Sequence, residues 1–190
     1  MNVRTSAGLY ANGIVPAYDV STTEELWSML RSMPSVDRFF GTSKTLSHEG
    51  ADVVGYSLFA DGVQPKWEDA ANAAGCEWGL RATVPLKALA SAWEELVLLA
   101  VGGSIEPNPS VPCVTGVRVV DKSHAKVGVM VKLEIWMKSA PKECRDKILQ
   151  IVMRLPTIAN LGHPFALQQH SSKAQSTAAF LKRRKHAGSA

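Results

Sequence analysis

The spacing of apolar and polar positions along the chain predicts three helices, at residues 22–33, 86–101 and 141–155. The first has the pattern of a capping box, because Thr22 precedes Glu25 by three positions. In the second, apolar side chains recur every three or four residues, and Gly102 follows the last turn. Each helix therefore has an apolar face that another layer of the protein must cover.

Runs of alternating or continuous apolar residues predict short strands around these helices, at residues 56–59, 76–84, 114–120, 129–136 and 165–168. The clearest is the alternation that begins at Cys76, where every second side chain is apolar. Residues 1–20 and the polar residues 41–53 are interpreted as loops, the former with at most one short strand. Strands joined by hairpins and interleaved with helices favour an α+β fold, in which helices cover one face of an antiparallel sheet.

Length and composition describe one ordinary globular domain, with 190 residues, 46% of them hydrophobic and 20% charged. The expected division is an N-terminal segment over residues 1–20, a single domain over 21–170 and a flexible basic tail over 171–190. No apolar run reaches the length of a membrane span, and the first residues lack the apolar core of a secretory signal. Three cysteines without metal-site spacing fit a reducing compartment, so a cytoplasmic location is expected.

Alternation within two neighbouring strands predicts a polar face on the sheet. Lys132, Glu134 and Trp136 share one side of their strand, opposite three aliphatic residues. Arg118 lies between two valines in the preceding strand and must point away from them. If the helices cover the apolar side, the arginine, the lysine and the tryptophan line a cleft on the other side. Such a cleft favours an anionic ligand that carries an aromatic ring, and a nucleotide fits that description.

A tryptophan followed by a glutamate, Trp67-Glu68, stands on an irregular segment after the turn signals Asp61-Gly62 and Pro65. An indole face attracts positive charge, and an ionised carboxylate accepts hydrogen bonds from neighbouring N–H groups. The pair is therefore suited to binding a cationic or guanine-like ring. Taken alone it is weak evidence, because a buried tryptophan followed by a surface acid is the commoner arrangement.

The stretch from Ser57 to Asp69 resembles the signature of the translation initiation factor 4E family, the mRNA cap-binding proteins. Further matches follow in the family's order, at residues 23–27, 78, 93–96, 117–118 and 132–136. The resemblance covers roughly residues 10–170, and its motifs are specific as an ordered set. It implies a curved antiparallel sheet with three helices packed on its convex face and a ligand cleft on its concave face.

The resemblance also implies how the 7-methylguanosine of the cap is held. Trp67 matches a residue that stacks on the base, and Glu68 one that accepts hydrogen bonds from the guanine edge. Arg118 and Lys132 match residues that bind the phosphates, and Trp136 matches the aromatic residue near the N7 methyl group. The family's second stacking residue is a tryptophan whose position falls on Tyr10, which is either that second platform or a loop residue. The short N-terminus implies that the family's first strand is essentially missing.

The convex face is the family's docking surface for a scaffold subunit or for inhibitory proteins that carry a Tyr-containing helical motif. Trp27 matches the central aromatic residue of that surface. The neighbouring matched positions are Thr23, Glu94, Glu95, Leu98 and Gly102. Thr23 and Glu94 stand where the family usually has apolar residues, so the motif that this surface prefers is expected to differ.

No arrangement of residues in the sequence suggests catalysis. The five histidines show no metal or general-base spacing, and there is no nucleophile elbow or phosphate loop. We therefore expect a non-enzymatic protein without cofactor or metal. The family resemblance implies a monomer whose partners are capped mRNA and a scaffold or repressor. It would serve translation initiation or its regulation. The alternative is a protein-interaction module with a weakened cap site.

Overall fold

A computed structural model of the chain describes residues 2–4, 13–41, 46–126 and 128–171. Within these ranges seven strands form one antiparallel sheet: β1 (Asn2–Arg4), β2 (Ser47–His48), β3 (Ala51–Phe59), β4 (Cys76–Ala82), β5 (Val114–Asp121), β6 (Val131–Met137) and β7 (Ala166–Gln169). The strands lie in the order β1-β3-β5-β6-β4-β7, and β2 pairs with β3. The strands β5 and β6, which hold the predicted site residues Arg118, Lys132 and Trp136, are therefore adjacent.

Helices pack on one face of this sheet. They are α1 (Thr23–Ser32), α2 (Val36–Phe39), α3 (Leu86–Val101), α4 (Lys142–Val152) and α5 (Pro156–Ala159). Leu89 and Leu96 of α3 are completely buried and belong to the same apolar core as Leu80, Val117 and Leu133 of the sheet. The predicted α+β fold, with helices on one face of an antiparallel sheet, is confirmed. The residues that alternate with the apolar ones point to the opposite face, which we call the polar face of the sheet.

Helix α1 shows how the sequence fixes its own start. Thr22 Oγ1 accepts a hydrogen bond from the Glu25 backbone N–H at 3.2 Å, and Glu25 accepts one from the Thr22 N–H at 3.1 Å. The backbone N–H groups of Ser21 and Thr22 lower the pKa of Glu25. The predicted capping box is therefore present, and it sets a helix rotation that buries Leu26 and leaves Trp27 exposed.

One predicted loop contains strands instead. Residues 41–53 were expected to lie in a surface loop, yet β2 and the start of β3 occupy part of this segment, and Val53 and Val54 are buried. Residues 1–20 were interpreted as a loop with at most one short strand, and one short strand lies there: Val3 of β1 pairs with Val53 of β3. The expectation of a loop over residues 41–53 was wrong because backbone pairing with a neighbouring strand stabilises this segment, and a local sequence pattern does not contain that neighbour.

Proline positions also require a correction. Pro156 was expected to end the third helix, but α4 ends at Val152, and Pro156 is the first residue of the separate one-turn helix α5. A proline fits this position because the first helical N–H has no partner within the helix. The other one-turn helix, α2, was also not predicted. Among the described residues, no helix combines the length and the apolar character needed to cross a membrane.

Candidate functional site

The loop between β3 and β4 carries Trp67 and Glu68, and Asp69 fixes its shape. One carboxylate oxygen of Asp69 accepts a hydrogen bond from the Gln64 N–H at 3.0 Å. The other oxygen accepts one from the Ala71 N–H at 2.9 Å. The carboxylate thus joins both sides of the short segment that holds Trp67 and Glu68. These hydrogen bonds hold the turn that carries the two residues, in which Trp67 is half-buried and Glu68 is exposed.

Asn72 also holds the same loop, through hydrogen bonds from its side chain. Its side chain is completely buried, and its amide nitrogen donates hydrogen bonds to the carbonyl oxygens of Gln64 at 2.8 Å and Lys66 at 3.0 Å. Its own backbone carbonyl oxygen lies 2.7 Å from Nδ1 of His170, at the end of β7. The Trp67 loop is therefore attached to the far edge of the sheet as well as to itself.

An aromatic group lies between the loop and the sheet. The Trp67 and Trp136 rings are almost parallel, with 7° between their planes and 6.5 Å between their centroids. Trp136 also contacts Phe59 edge-on at 5.4 Å and His170 at 4.5 Å, and only 1% of it is exposed. Two parallel rings can hold a third flat ring between them when they are about 7 Å apart, since each stacked contact takes about 3.5 Å. Trp136 is buried beneath the loop, and Trp67 is the more accessible of the two rings.

Four charged side chains meet on the polar face beside Trp136, and we call Glu77, Arg118, Lys132 and Glu134 the polar cluster. Lys132 Nζ lies 2.5 Å from Oε1 of Glu77 and 2.5 Å from Oε1 of Glu134. Arg118 Nη1 lies 3.7 Å from Oε2 of Glu134, which also accepts a hydrogen bond from the Trp136 indole nitrogen at 2.9 Å. Two cations and two anions thus form one buried ionic group.

Strand register explains why these four side chains meet. Arg118 and Glu134 are direct partners across β5 and β6, and Gly79 is the partner of Glu134 across β6 and β4. A side chain on Gly79 would begin 3.2 Å from Cε of Lys132, so the lysine crosses the bare backbone of this glycine. That route brings its ammonium group to Glu77, two residues before the glycine in β4.

The electrostatics of the polar cluster favour the charged form of its lysine. Burial works against a charged ammonium group, yet the attraction of Glu134 and Glu77 raises the pKa of Lys132 above its ordinary value. With Arg118 also positive, the two positive charges are matched by two carboxylates. The two basic residues that were expected to line the cleft, Arg118 and Lys132, are therefore paired with carboxylates of the protein itself.

His170 connects the cluster to the loop and was not predicted from the sequence. It is completely buried, its Nε2 lies 3.6 Å from Oε2 of Glu77, and its Nδ1 faces the Asn72 carbonyl oxygen. Its contacts lie 98 residues away at Asn72 and also at Glu77 and Trp136, so no local pattern could have identified it. Among the described residues, no group of histidine, cysteine and carboxylate side chains could hold a metal ion.

The structure thus gathers four predicted residues on the polar face and its loop, namely Trp67, Arg118, Lys132 and Trp136, with Glu68 exposed beside Trp67. Tyr10 lies outside the described residues, so its role stays a prediction. A cleft of about 420 Å³ opens between residues 14–19 and 60–66, next to the Trp67 loop. Of the predicted cap-binding residues that the structure describes, none lines this cleft.

The predicted partner surface lies on α1 and α3. Trp27 is 44% exposed, and Thr23 lies one turn before it on the same helix. On α3, Glu94 is exposed, while Leu98 is half-buried. Glu95 is half-buried and accepts a hydrogen bond from the Thr157 hydroxyl group, and Gly102 caps the helix. The structure therefore places this set of residues on the two helices expected to carry it, with the tryptophan as its large apolar side chain.

Comparison with known sequences identifies one family. Residues 2–185 match the sequence model described as "Eukaryotic initiation factor 4E". The chain is 28% identical over 162 residues to eukaryotic translation initiation factor 4E-1 of Schizosaccharomyces pombe, covering 82% of this chain and 70% of that protein. It is 32% identical over 135 residues to isoform 4E of Solanum lycopersicum, covering 70% and 57%. The chain thus spans between about half and seven tenths of the length of the relatives it matches.

Comparison with solved structures gives the same fold. A complex of C. elegans eIF4E-3 with the 4E-binding protein Mextli aligns with a TM-score of 0.69 at 18% identity, covering 90% of this chain and 88% of that one. A complex of Ascaris suum eIF4E-3 with the m7G cap aligns with a TM-score of 0.66 at 22% identity, covering 89% and 85%. At these identities the likeness is one of fold.

Proposed function

Because the chain belongs to the eukaryotic initiation factor 4E family, we propose that it binds the 7-methylguanosine cap of mRNA through the Trp67 loop. The observation that carries this proposal is the position of Trp67, which is half-buried, lies nearly parallel to Trp136 and is followed directly by the exposed carboxylate of Glu68. Asp69 and Asn72 hold the loop in this shape before any ligand arrives. A preformed platform of this kind reduces the ordering cost of binding.

The chemistry of the cap fits this pair of residues. Methylation at N7 makes the guanine ring cationic, so it stacks more strongly on an electron-rich indole than unmethylated guanine does. The carboxylate of Glu68 would accept hydrogen bonds from the Watson–Crick edge of the base. Tyr10, if it is the second platform, would cover the other face of the ring. Binding of this type needs no cofactor or metal and changes no covalent bond.

The test is a titration of the protein with 7-methyl-GTP and with GTP while tryptophan fluorescence is recorded. Stacking on Trp67 should quench the emission at a far lower concentration of the methylated ligand. Substituting Glu68→Gln should weaken binding of 7-methyl-GTP about tenfold or more, since a hydrogen bond to a charged group contributes about 1.5–3 kcal/mol. The matched control is Glu143→Gln, which removes the same charge from the exposed start of α4. Equal quenching by GTP and 7-methyl-GTP would contradict the proposal.

The second candidate function is protein binding through α1 and α3. The observation that favours it is the exposure of Trp27, because a large aromatic ring with 44% of its surface in water is a typical interface anchor. One of the similar structures is a complex with a 4E-binding protein. We infer that the partner here is a scaffold subunit or inhibitory protein that presents a helix with a tyrosine.

Substituting Trp27→Ala should weaken such a partner strongly, by about 2 kcal/mol or more if the ring is a central anchor, which is roughly thirtyfold in affinity. Binding is measured by calorimetry with a synthetic Tyr-containing helical peptide. Met153→Ala, which truncates another partly exposed apolar side chain on α4, serves as the control. The proposal fails if both variants bind the peptide as the parent protein does.

The two candidates are compatible, since the Trp67 loop and the Trp27 surface lie on different parts of the fold. Together they describe a protein that links capped mRNA to a second protein, either to start translation or to restrain it. This work is done where mRNA is translated, so we infer a cytoplasmic location. A protein that ignored the cap but bound the peptide would be the interaction module alone.

A further inference from the structure

We propose that Glu77 and Glu134 act as built-in counter-anions for Lys132 and Arg118, so that this site recognises the methylated base and gains little from the phosphate chain. The inference rests on the proposed function, because it concerns the ligand of the same site. It reverses the role that the sequence suggested for the two basic residues, which were expected to bind the phosphates.

The first step concerns the lysine. Its ammonium group already has two carboxylate partners at 2.5 Å, Glu77 on the neighbouring strand β4 and Glu134 on its own strand β6, and only 15% of its side chain is exposed. Two of the three N–H donors of this group thus have carboxylate partners, and the small exposed fraction of the side chain leaves a phosphate oxygen little access to the third. Glu77 is completely buried, so drawing Lys132 away from it towards a phosphate would weaken an ion pair in the interior, which is unfavourable.

The second step concerns the arginine. Arg118 is held less tightly than the lysine, since its Nη1 lies 3.7 Å from Glu134, which is an ion-pair distance but longer than a hydrogen bond. Its Nε atom is buried and has no hydrogen-bond partner within the described part of the chain. Arg118 therefore keeps donor capacity, but it is only 7% exposed and has a carboxylate directly across the strand pair.

The third step is the sum of the charges. The two cations and the two carboxylates of the polar cluster cancel, so the cluster offers an approaching polyphosphate no net attraction. The carboxylates would also repel the phosphates at short range. The base-binding residues, Trp67 and Glu68, are unaffected because they stand on the loop. Discrimination by methylation should therefore persist while discrimination by phosphate number is lost.

The experiment compares the affinities of 7-methylguanosine, 7-methyl-GMP and 7-methyl-GTP for the unmodified protein by calorimetry, at low and high salt. We expect the triphosphate to bind less than about tenfold more tightly than the nucleoside, because tenfold is the effect of a single charge-assisted contact. We also expect salt to change its affinity little. GTP is included as the unmethylated ligand.

Variants identify the residues responsible. Glu134→Gln keeps the size of the side chain and an oxygen that accepts from the Trp136 indole, but it frees positive charge at Lys132 and Arg118. The ratio of the triphosphate's affinity to the nucleoside's affinity should then rise about tenfold and become salt-dependent. Glu143→Gln, on the helix-covered side, removes the same charge and should leave the ratio as it is.

The outcomes separate this inference from the proposed function. A triphosphate advantage above about tenfold in the unmodified protein overturns the counter-anion role while leaving cap binding in place. The counter-anion role is also overturned if a folded Glu134→Gln protein has the same ratio of 7-methyl-GTP affinity to 7-methylguanosine affinity as the unmodified protein. If no 7-methylated ligand binds more tightly than GTP, the proposed function itself fails, and this inference fails with it.

Discussion

Replacing Lys132 with methionine is expected to lower the free energy of unfolding by about 3–5 kcal/mol, because it removes the cation that lies 2.5 Å from each of two buried carboxylates. Methionine keeps most of the aliphatic stem, so little packing is lost with the charge. Glu77 is completely buried, and 4% of the Glu134 side chain is exposed. A loss of this size is a large part of the 5–15 kcal/mol that typically stabilises a domain. Urea unfolding followed by circular dichroism measures it.

The matched control is Lys142→Met on α4. Lys142 also pairs with a carboxylate, Asp146 at 2.7 Å, but 75% of its side chain is exposed, so its loss should cost less than about 1 kcal/mol. Adding Glu77→Gln to Lys132→Met should recover part of the lost stability, since one buried charge is removed. Equal losses for the two lysine variants would show that the polar cluster is not the buried ionic group described above.

The stability that the Lys132 ion pairs contribute depends on pH, and its pH dependence follows from the direction in which folding shifts the pKa of Lys132. The pKa of Lys132 is raised in the folded protein above its ordinary value of 10.5, so its pairing stabilises the fold fully below that value. The contribution is lost only as the pH rises through the folded-state pKa. The difference between the parent protein and Lys132→Met should therefore stay constant through neutral pH and shrink in strong alkali.

Replacing Trp67 with alanine is expected to weaken binding of 7-methyl-GTP by about 1–3 kcal/mol, or roughly five- to 150-fold, which is the usual effect of losing one stacked aromatic residue. The loss should be smaller for GTP, because plain guanine lacks the positive charge that strengthens stacking. Calorimetry is the suitable measurement, since the substitution removes the fluorescent reporter itself.

Trp67→Phe provides a graded comparison, because it keeps an aromatic ring with a smaller and less electron-rich face. Its affinity for 7-methyl-GTP should lie between those of the parent protein and Trp67→Ala. The order would be different if Trp67 only supported the loop by filling space against Trp136. In that case both variants should lose thermal stability, and the preference for the methylated ligand should not change.

The fold was predictable where local signals agree with the tertiary environment. The capping box at Thr22 and the apolar repeat of α3 each specify a helix by themselves, and both helices lie where they were expected. Short elements behaved differently. The strands β1 and β2 and the one-turn helices have too few residues for a periodic pattern, and their stability comes from neighbours that are distant in sequence.

The sequence was sufficient to predict which residues form the site, but not that carboxylates pair with its two basic residues. Alternation alone placed Lys132, Glu134 and Trp136 on one face, and the same rule applied to the strand at Cys76 would have placed Glu77 there too. What the sequence could not show is the cross-strand register, which puts Glu134 opposite Arg118. Nor could it show that the backbone of Gly79 leaves a path for the lysine.

The contact between Asn72 and His170 bears on the order in which the protein becomes competent during synthesis. The two residues are 98 positions apart, so a growing chain carries the Trp67 loop long before the residue that anchors it has been added. A domain of this kind folds as a unit. Cap binding should therefore be acquired only once β7 has left the ribosome, and a nascent chain should not capture capped mRNA beforehand.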